Sequence, residues 1–178
     1  FAKFQAKFFK CISHEIFKID FYGGSALTDN IDVPTNINVE SIPNNIPVTY
    51  VPSRNIVFLS FAAGYAECFD IDNIFIGVNS IDYSGYPDCR KTFIDDFENL
   101  INKATKKGIE GNKFKIFTPL INLSKKEIIK LGNKNGVDFS MTSSCYNPGL
   151  TKNCGFCDSC LLRKRGFDLP AAASIGMV

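Results

Sequence analysis

Ile74-Phe75-Ile76-Gly77-Val78 is an unbroken apolar run. A strand covered on one face alternates apolar and polar residues, whereas a run apolar throughout is the pattern of a parallel strand covered on both faces. The segments on either side read as helices. Asn55 to Phe69 is apolar almost all round, through Ile56, Val57, Phe58, Leu59, Phe61, Ala62, Ala63, Tyr65 and Ala66, which predicts a buried helix. Beyond the run, Phe93, Phe97, Leu100, Ile101 and Ala104 recur at helical spacing, and Phe114 to Phe117 supplies the next strand. Ser124-Lys-Lys-Glu127 writes a capping box ahead of Ile128, Ile129 and Leu131, with Gly132 or Gly136 placed to end that helix. At the front, Phe1, Phe4, Phe8 and Ile12 share the stripe of a helix running to about Ser13, and His14 to Phe21 alternates as a strand. Helix and strand in turn predict an α/β fold with a doubly wound parallel sheet. Phe1 stands in mid-helix without an initiating Met or a cap, so a segment upstream is expected.

Composition bounds the chain without naming a function. Its 178 residues, 45% of them hydrophobic, with no apolar run long enough to span a bilayer, predict one soluble α/β domain over residues 1–140 and a small metal-binding segment over 141–178 packed on it. A net charge of +2 gives no electrostatic argument for nucleic acid. The basic cluster Arg163-Lys164-Arg165 reads as a solvated helix face. Asn30 to Pro47, with five Asn and three Pro, reads as one long surface loop.

Four of the seven cysteines crowd into the last quarter: Cys145, Cys154, Cys157 and Cys160. Two cysteines separated by two residues can turn both sulfurs to one point, and Gly155 permits the tight turn this requires. Four thiolates without His or carboxylate suit a closed structural zinc site, with an iron–sulfur cluster as the rival. Two disulfides fit poorly with an odd cysteine count and no signal peptide, which also points to a cytoplasmic protein. Zinc says how the tail folds and leaves the reaction open.

In a doubly wound sheet the chemistry lies in loops leaving the carboxyl ends of the strands. The loop after Ile74–Val78 carries Asp82, Tyr83, Ser84, Tyr86, Asp88 and Arg90, far more chemistry than a turn needs. Val51-Pro52-Ser53-Arg54-Asn55 likewise puts Arg54 beside the exposed N–H groups of a helix start, a place suited to an anion.

Val51-Pro-Ser-Arg-Asn55, Ser84-Gly-Tyr-Pro-Asp-Cys-Arg90, Thr118-Pro-Leu120 with Lys125, and Cys145-Tyr-Asn followed by the three-cysteine knuckle, in that order, resemble the 7-cyano-7-deazaguanine synthase family, QueC. The resemblance implies a PP-loop ATP pyrophosphatase with a Rossmann-like, adenine nucleotide alpha hydrolase-like sheet. It implies ATP with Mg2+ as co-substrate, 7-carboxy-7-deazaguanine and ammonia as substrates, adenylated intermediates, and a nitrile product that feeds queuosine modification of tRNA. Zinc is implied on Cys145, Cys154, Cys157 and Cys160. A homodimer is expected, with no direct contact to nucleic acid. Adenylation builds charge at the α-phosphate, for which Arg54 and Lys125 are the candidate cations. A flat deazapurine asks for an aromatic face, from Tyr83 or Tyr86, and for a carboxylate, from Asp82 or Asp88, while Arg90 could pair with the substrate carboxylate. The expected catalytic set is Arg54, Lys125 and Asp88. The expected substrate-binding set is Asn55, Asp82, Tyr83, Ser84, Tyr86, Asp88 and Arg90.

Two departures from the family pattern stand out. Its Ser-Gly-Gly-x-Asp-Ser signature is absent, and Tyr22-Gly23-Gly24-Ser25-Ala26 reads as a turn that only mimics it. The signature is expected upstream of Phe1, and without it the chain should not bind ATP productively. Ser53 stands where the family usually has Gly in Val-Pro-Gly-Arg-Asn. His14 reads as a strand-edge side chain, Cys11 and Cys68 as small hydrophobes on helix faces, and Cys89 as a packing residue. Two rival functions are a tRNA thiolase of the same superfamily, which needs a redox-active cysteine pair and a basic surface, and a zinc-ribbon nucleic-acid module, which needs clustered Lys and Arg about the knuckle.

Overall fold

The computed structural model describes residues 1–19, 23–36, 38–42, 45–80, 85–148 and 153–167. The chain divides into two compact units, one formed by Pro43–Ser124 and the other by Phe1–Ile42 together with Lys125–Val178. Residues 141–178 thus share a unit with 1–42 and 125–140.

In the first of these units the apolar run becomes β1 (Asn73–Phe75), flanked by α2 (Arg54–Cys68) and by α3 (Lys91–Ala104); the short α4 (Lys106–Ile109) then leads to β2 (Lys115–Phe117). The two strands pair in parallel, with Ile74 opposite Ile116. A parallel pair needs a crossover, and α3 with α4 provides it. Leu59, Ala63 and Ala66 of α2, Ile94, Phe97 and Ile101 of α3, and Ile74, Phe114 and Ile116 of the strands form one buried cluster.

The edge of β2 turned away from β1 is closed by side chains of α3. The Asn102 amide accepts the Phe114 N–H at 2.8 Å and donates to the Phe114 carbonyl at 3.0 Å. One turn earlier on the helix, Glu98 accepts the Ile116 N–H at 2.7 Å. An amide matches a backbone donor–acceptor pair, so α3 satisfies this edge without another strand.

The second unit holds α1 (Ala2–Phe8), α5 (Lys125–Lys134) and α6 (Asp158–Gly166). Helices α5 and α6 meet at Gly166, where a Cβ would lie 2.8 Å from Ile129 Cδ1 and 2.9 Å from Lys125 Cβ. Gly136, with φ of +72°, ends α5, settling the choice between the two glycines. Gln5 of α1 donates to the Met141 carbonyl at 3.2 Å.

Several expectations are corrected. Helix α1 stops at Phe8 because Lys10 turns left-handed, φ 52°, and Cys11 N–H reaches back to the Ala6 carbonyl. Ile12 therefore falls off the aromatic stripe. Of the expected strand from His14 to Phe21, residues 14–19 form none: among the described residues no strand pairs with them, and Ile16 and Phe17 are exposed, while Asp20 and Phe21 lie outside the described residues. Helix α2 is buried on one face only, with Ile56, Phe58 and Phe61 exposed, and on β1 Phe75 is 67% exposed beside Ile74. Among the described residues the sheet has two strands, each burying its central residue, Ile74 or Ile116, between exposed neighbours. The Asn/Pro-rich stretch is largely irregular, as expected, but Thr35 bridges antiparallel to Cys157 and ties it to the cysteine knuckle.

Candidate functional site

The start of α2 and the 3-10 turn Pro87–Cys89 are locked together. Asn55 and Asp88 are each 4% exposed. The Asp88 carboxylate accepts the Asn55 backbone N–H at 3.1 Å, and the Asn55 side-chain amide donates to the Asp88 carbonyl at 3.0 Å and to Cys89 Sγ at 3.4 Å. The Arg54 guanidinium lies over the Tyr86 ring, 6.0 Å from its centroid, and among the described residues it makes no ion pair. Tyr86 is fixed by its hydroxyl, 2.9 Å from Thr49 Oγ1, and by the Tyr50 ring, 6.3 Å away. Arg90 is the residue on which α3 begins. A groove of about 590 Å³ opens here, its walls including Tyr50, Asp88, Arg90 and Phe93.

The second cluster lies in the other unit. The Sγ atoms of Cys145, Cys154, Cys157 and Cys160 all lie within 4.8 Å of one another. Zinc–sulfur bonds of about 2.3 Å in a tetrahedron require sulfurs about 3.8 Å apart, so a small contraction would close the site on a metal. Gly155, with φ of +81°, makes the turn between Cys154 and Cys157. Backbone N–H groups already point at sulfur: Cys154 N–H at Cys145 Sγ, 3.2 Å, and Cys157 N–H at Cys154 Sγ, 3.3 Å. Cys157 starts α6, and the hydrogen bond from Cys160 holds its thiol down at about 4. The same bond, and burial after it, push Cys160 up, and burial pushes Cys145 up. Metal binding would displace the protons that these thiols carry. The donor set fits a structural metal. Around it, Asn36 donates to Asp158 at 2.5 Å, and burial raises the Asp158 carboxyl.

The family model described as "Queuosine biosynthesis protein QueC" matches residues 2–170. The chain belongs to the QueC family. Among relatives of the QueC chain, the 7-cyano-7-deazaguanine synthase of Acetivibrio thermocellus is 58% identical over 167 residues, covering 93% of this chain and 73% of the relative. Those of Desulfatibacillum aliphaticivorans and Coxiella burnetii are 52% and 55% identical, over 93% and 91% of this chain and 73% and 72% of theirs.

Of the residues singled out from the QueC motifs, Arg54, Asn55, Tyr86, Asp88 and Arg90 come together about the turn Pro87–Cys89. Lys125 opens α5 in the other unit. Asp82, Tyr83 and Ser84 lie outside the described residues. Sequence reading missed Thr49 and Tyr50, which hold Tyr86 and receive the Ser53 N–H on the Tyr50 hydroxyl at 3.1 Å; their position just before Val51-Pro52 was the available signal. Arg163 is corrected. It is a half-buried anchor and no solvated cation, donating to the Phe139 carbonyl at 2.9 Å and to Ser144 at 3.3 Å and lying over Phe167. Burial holds its guanidinium below its ordinary value. Cys89 is buried, as expected of a packing residue, whereas Cys11 and Cys68 are exposed. The paired glycines form a turn, Gly24 N–H on Asp29 at 2.6 Å, as read. Among the described residues no helix is long and apolar enough to cross a membrane.

Proposed function

We propose that this chain carries out the 7-cyano-7-deazaguanine synthase reaction of queuosine biosynthesis. The observation that carries the reading is 58% identity, across 93% of the chain, to a relative bearing that name. In the proposed reaction a carboxylate oxygen of 7-carboxy-7-deazaguanine attacks the α-phosphorus of ATP and pyrophosphate leaves. Ammonia then attacks the acyl carbon, AMP departs with the oxygen, and a proton is lost, leaving the amide. A second ATP takes the amide oxygen in the same way, and loss of AMP and of both amide protons leaves the nitrile. Mg2+ would accompany the nucleotide.

Among this chain's residues, Arg54 suits the charge that develops at the α-phosphate. It is the first residue of α2 and has no carboxylate partner among the described residues. Lys125 is proposed as a second phosphate cation. Arg90 is proposed to pair with the substrate carboxylate, and Tyr86 or Tyr83 to offer the heterocycle an aromatic face. Asp82 is proposed as the acceptor for the guanine-like N–H edge, since the Asp88 carboxylate is already engaged by Asn55. Cys145, Cys154, Cys157 and Cys160 would hold zinc, which supplies cross-linking of the knuckle and no reactive position.

The sheet is proposed to be part of a doubly wound one. The side chains that close the outer edge of β2 support this, because they leave β1 as the strand beside which the sheet can continue. A cytoplasmic homodimer completes the reading; a light-scattering mass of one protomer would remove the dimer. The full-length protein given ATP, ammonia and 7-carboxy-7-deazaguanine should yield the nitrile with two AMP and two pyrophosphate per turnover. Absence of the nitrile by mass spectrometry would sink the proposal.

A further inference from the structure

We infer that Asp88 acts as a positioning residue: its carboxylate caps α2 from 33 residues away and so fixes Arg54 in the site. The inference rests on the reading of Arg54 as the phosphate cation.

The first turn of a helix leaves N–H groups without partners, and an N-cap side chain in extended backbone normally accepts one of them. Ser53, at the N-cap of α2, cannot. It is left-handed, at φ 56° and ψ 17°, and its hydroxyl makes no capping bond. The Asn55 N–H would be stranded at a position 4% exposed. Asp88 accepts it at 3.1 Å, and Asn55 answers by donating to the Asp88 carbonyl at 3.0 Å. The other carboxylate oxygen faces the Cys89 thiol, 4.0 Å away. One oxygen is thus committed to the Asn55 N–H, which makes Asp88 a cap before anything else.

Arg54 is joined to the same turn twice. Its backbone precedes Asn55, which Asp88 holds. Its guanidinium lies over Tyr86, the residue that starts the Pro87–Cys89 turn. Loss of the Asp88 acceptor would release the backbone leg and leave the side-chain leg on a looser first turn. A displacement of about 1 Å in a group meeting a transition state lowers rates on the order of 100-fold.

The test uses the full-length protein with Asp88→Asn, Asp88→Ala, Arg54→Ala and the double Arg54→Ala/Asp88→Ala, assayed below their melting temperatures. Asn caps as well as Asp, so Asp88→Asn should keep kcat/KM within about threefold of the parent, while Asp88→Ala should lose on the order of 100-fold. The double variant should fall no more than about threefold below Arg54→Ala, because the two act through one contact to phosphate. Equal losses in Asp88→Asn and Asp88→Ala would make Asp88 a reacting group and overturn the inference, as would multiplying losses in the double variant. If the parent makes no nitrile, the functional reading fails by itself, and hydrogen exchange still decides the cap. The Asn55 N–H should exchange at least about tenfold faster in Asp88→Ala and not in Asp88→Asn; unchanged protection in Asp88→Ala overturns the inference.

Discussion

Replacing Ser53 by Gly should stabilise the protein. Ser53 has φ of 56°, where the Cβ of an L-residue crowds the following carbonyl and raises the energy by about 1–2 kcal/mol. Gly escapes that strain but gives the unfolded chain more freedom, a loss of about 0.5–1 kcal/mol. Little else changes. The Ser53 side chain is exposed and makes no capping bond, while the hydrogen bond from its backbone N–H to the Tyr50 hydroxyl survives the substitution. The difference is a gain of about 0.5–1 kcal/mol, which for a chain of this size raises Tm by roughly 1–4 °C. Ser53→Ala is the control: it removes the hydroxyl but keeps the strain, so it should leave Tm unchanged or lower it slightly. Calorimetry or urea melting of the three proteins decides. A lower Tm for Ser53→Gly, or an equal rise for Ser53→Ala, would refute the argument from backbone strain.

Three further outcomes follow from the packing and the thiols. Gly166→Ala drives a methyl to within 2.8 Å of Ile129 and 2.9 Å of Lys125, so it should destabilise by about 1–3 kcal/mol in urea melts, whereas Gly64→Ala, in open space on α2, should not destabilise. Asn102→Ala strands the N–H and carbonyl of Phe114, itself 1% exposed, and should lower stability by about 2–3 kcal/mol, seen also as faster exchange of the Phe114 amide. Zinc uptake should weaken as pH falls: burial raises Cys145, the Cys157 contact and then burial raise Cys160, and both must shed protons to bind, while the Cys160 contact lowers Cys157. Chelator titration at two pH values measures this, and pH-independent affinity would contradict the placement of the protons.

The helix and strand positions legible in the sequence were those set by local pattern. The 3.6-residue spacing of Phe93, Phe97 and Ile101 gave α3 because those residues point into one cluster, and the apolar run gave β1 because its strand pairs in parallel with β2. Cysteine spacing gave the metal cluster for the same reason: a Cys-x-x-Cys turn is short enough for geometry to be local. What pattern could not reveal was decided by partners distant in sequence. Nothing near Ser53 says that its helix is capped from Asp88, and nothing near Asn36 points to Asp158. Residues 14–19 have a strand's alternation, yet a strand exists only where another pairs with it. Arg163 looked like its basic neighbours because sequence does not show that the Phe139 carbonyl lies within its reach.

The separate features of the Pro87–Cys89 turn have a common electrostatic sense. Helices α2 and α3 both start against it, and each brings the positive end of its dipole together with an arginine, Arg54 on the first residue of α2 and Arg90 on the residue before α3. Such a convergence of positive ends is unfavourable on its own, and a buried carboxylate at their meeting point relieves part of it. Asp88 supplies that charge as the acceptor of the Asn55 N–H of α2, and among the described residues the Arg54 guanidinium has no carboxylate and rests on Tyr86. The arrangement therefore satisfies the buried Asn55 donor while the Arg54 guanidinium stays on the Tyr86 face. In the proposed reaction, in which ATP would be cleaved to AMP and pyrophosphate, that division would help because the fixed dipoles are already oriented before charge develops. Were Asp88 instead paired directly with Arg54, the carboxylate would take up guanidinium donors that now remain available to an anion.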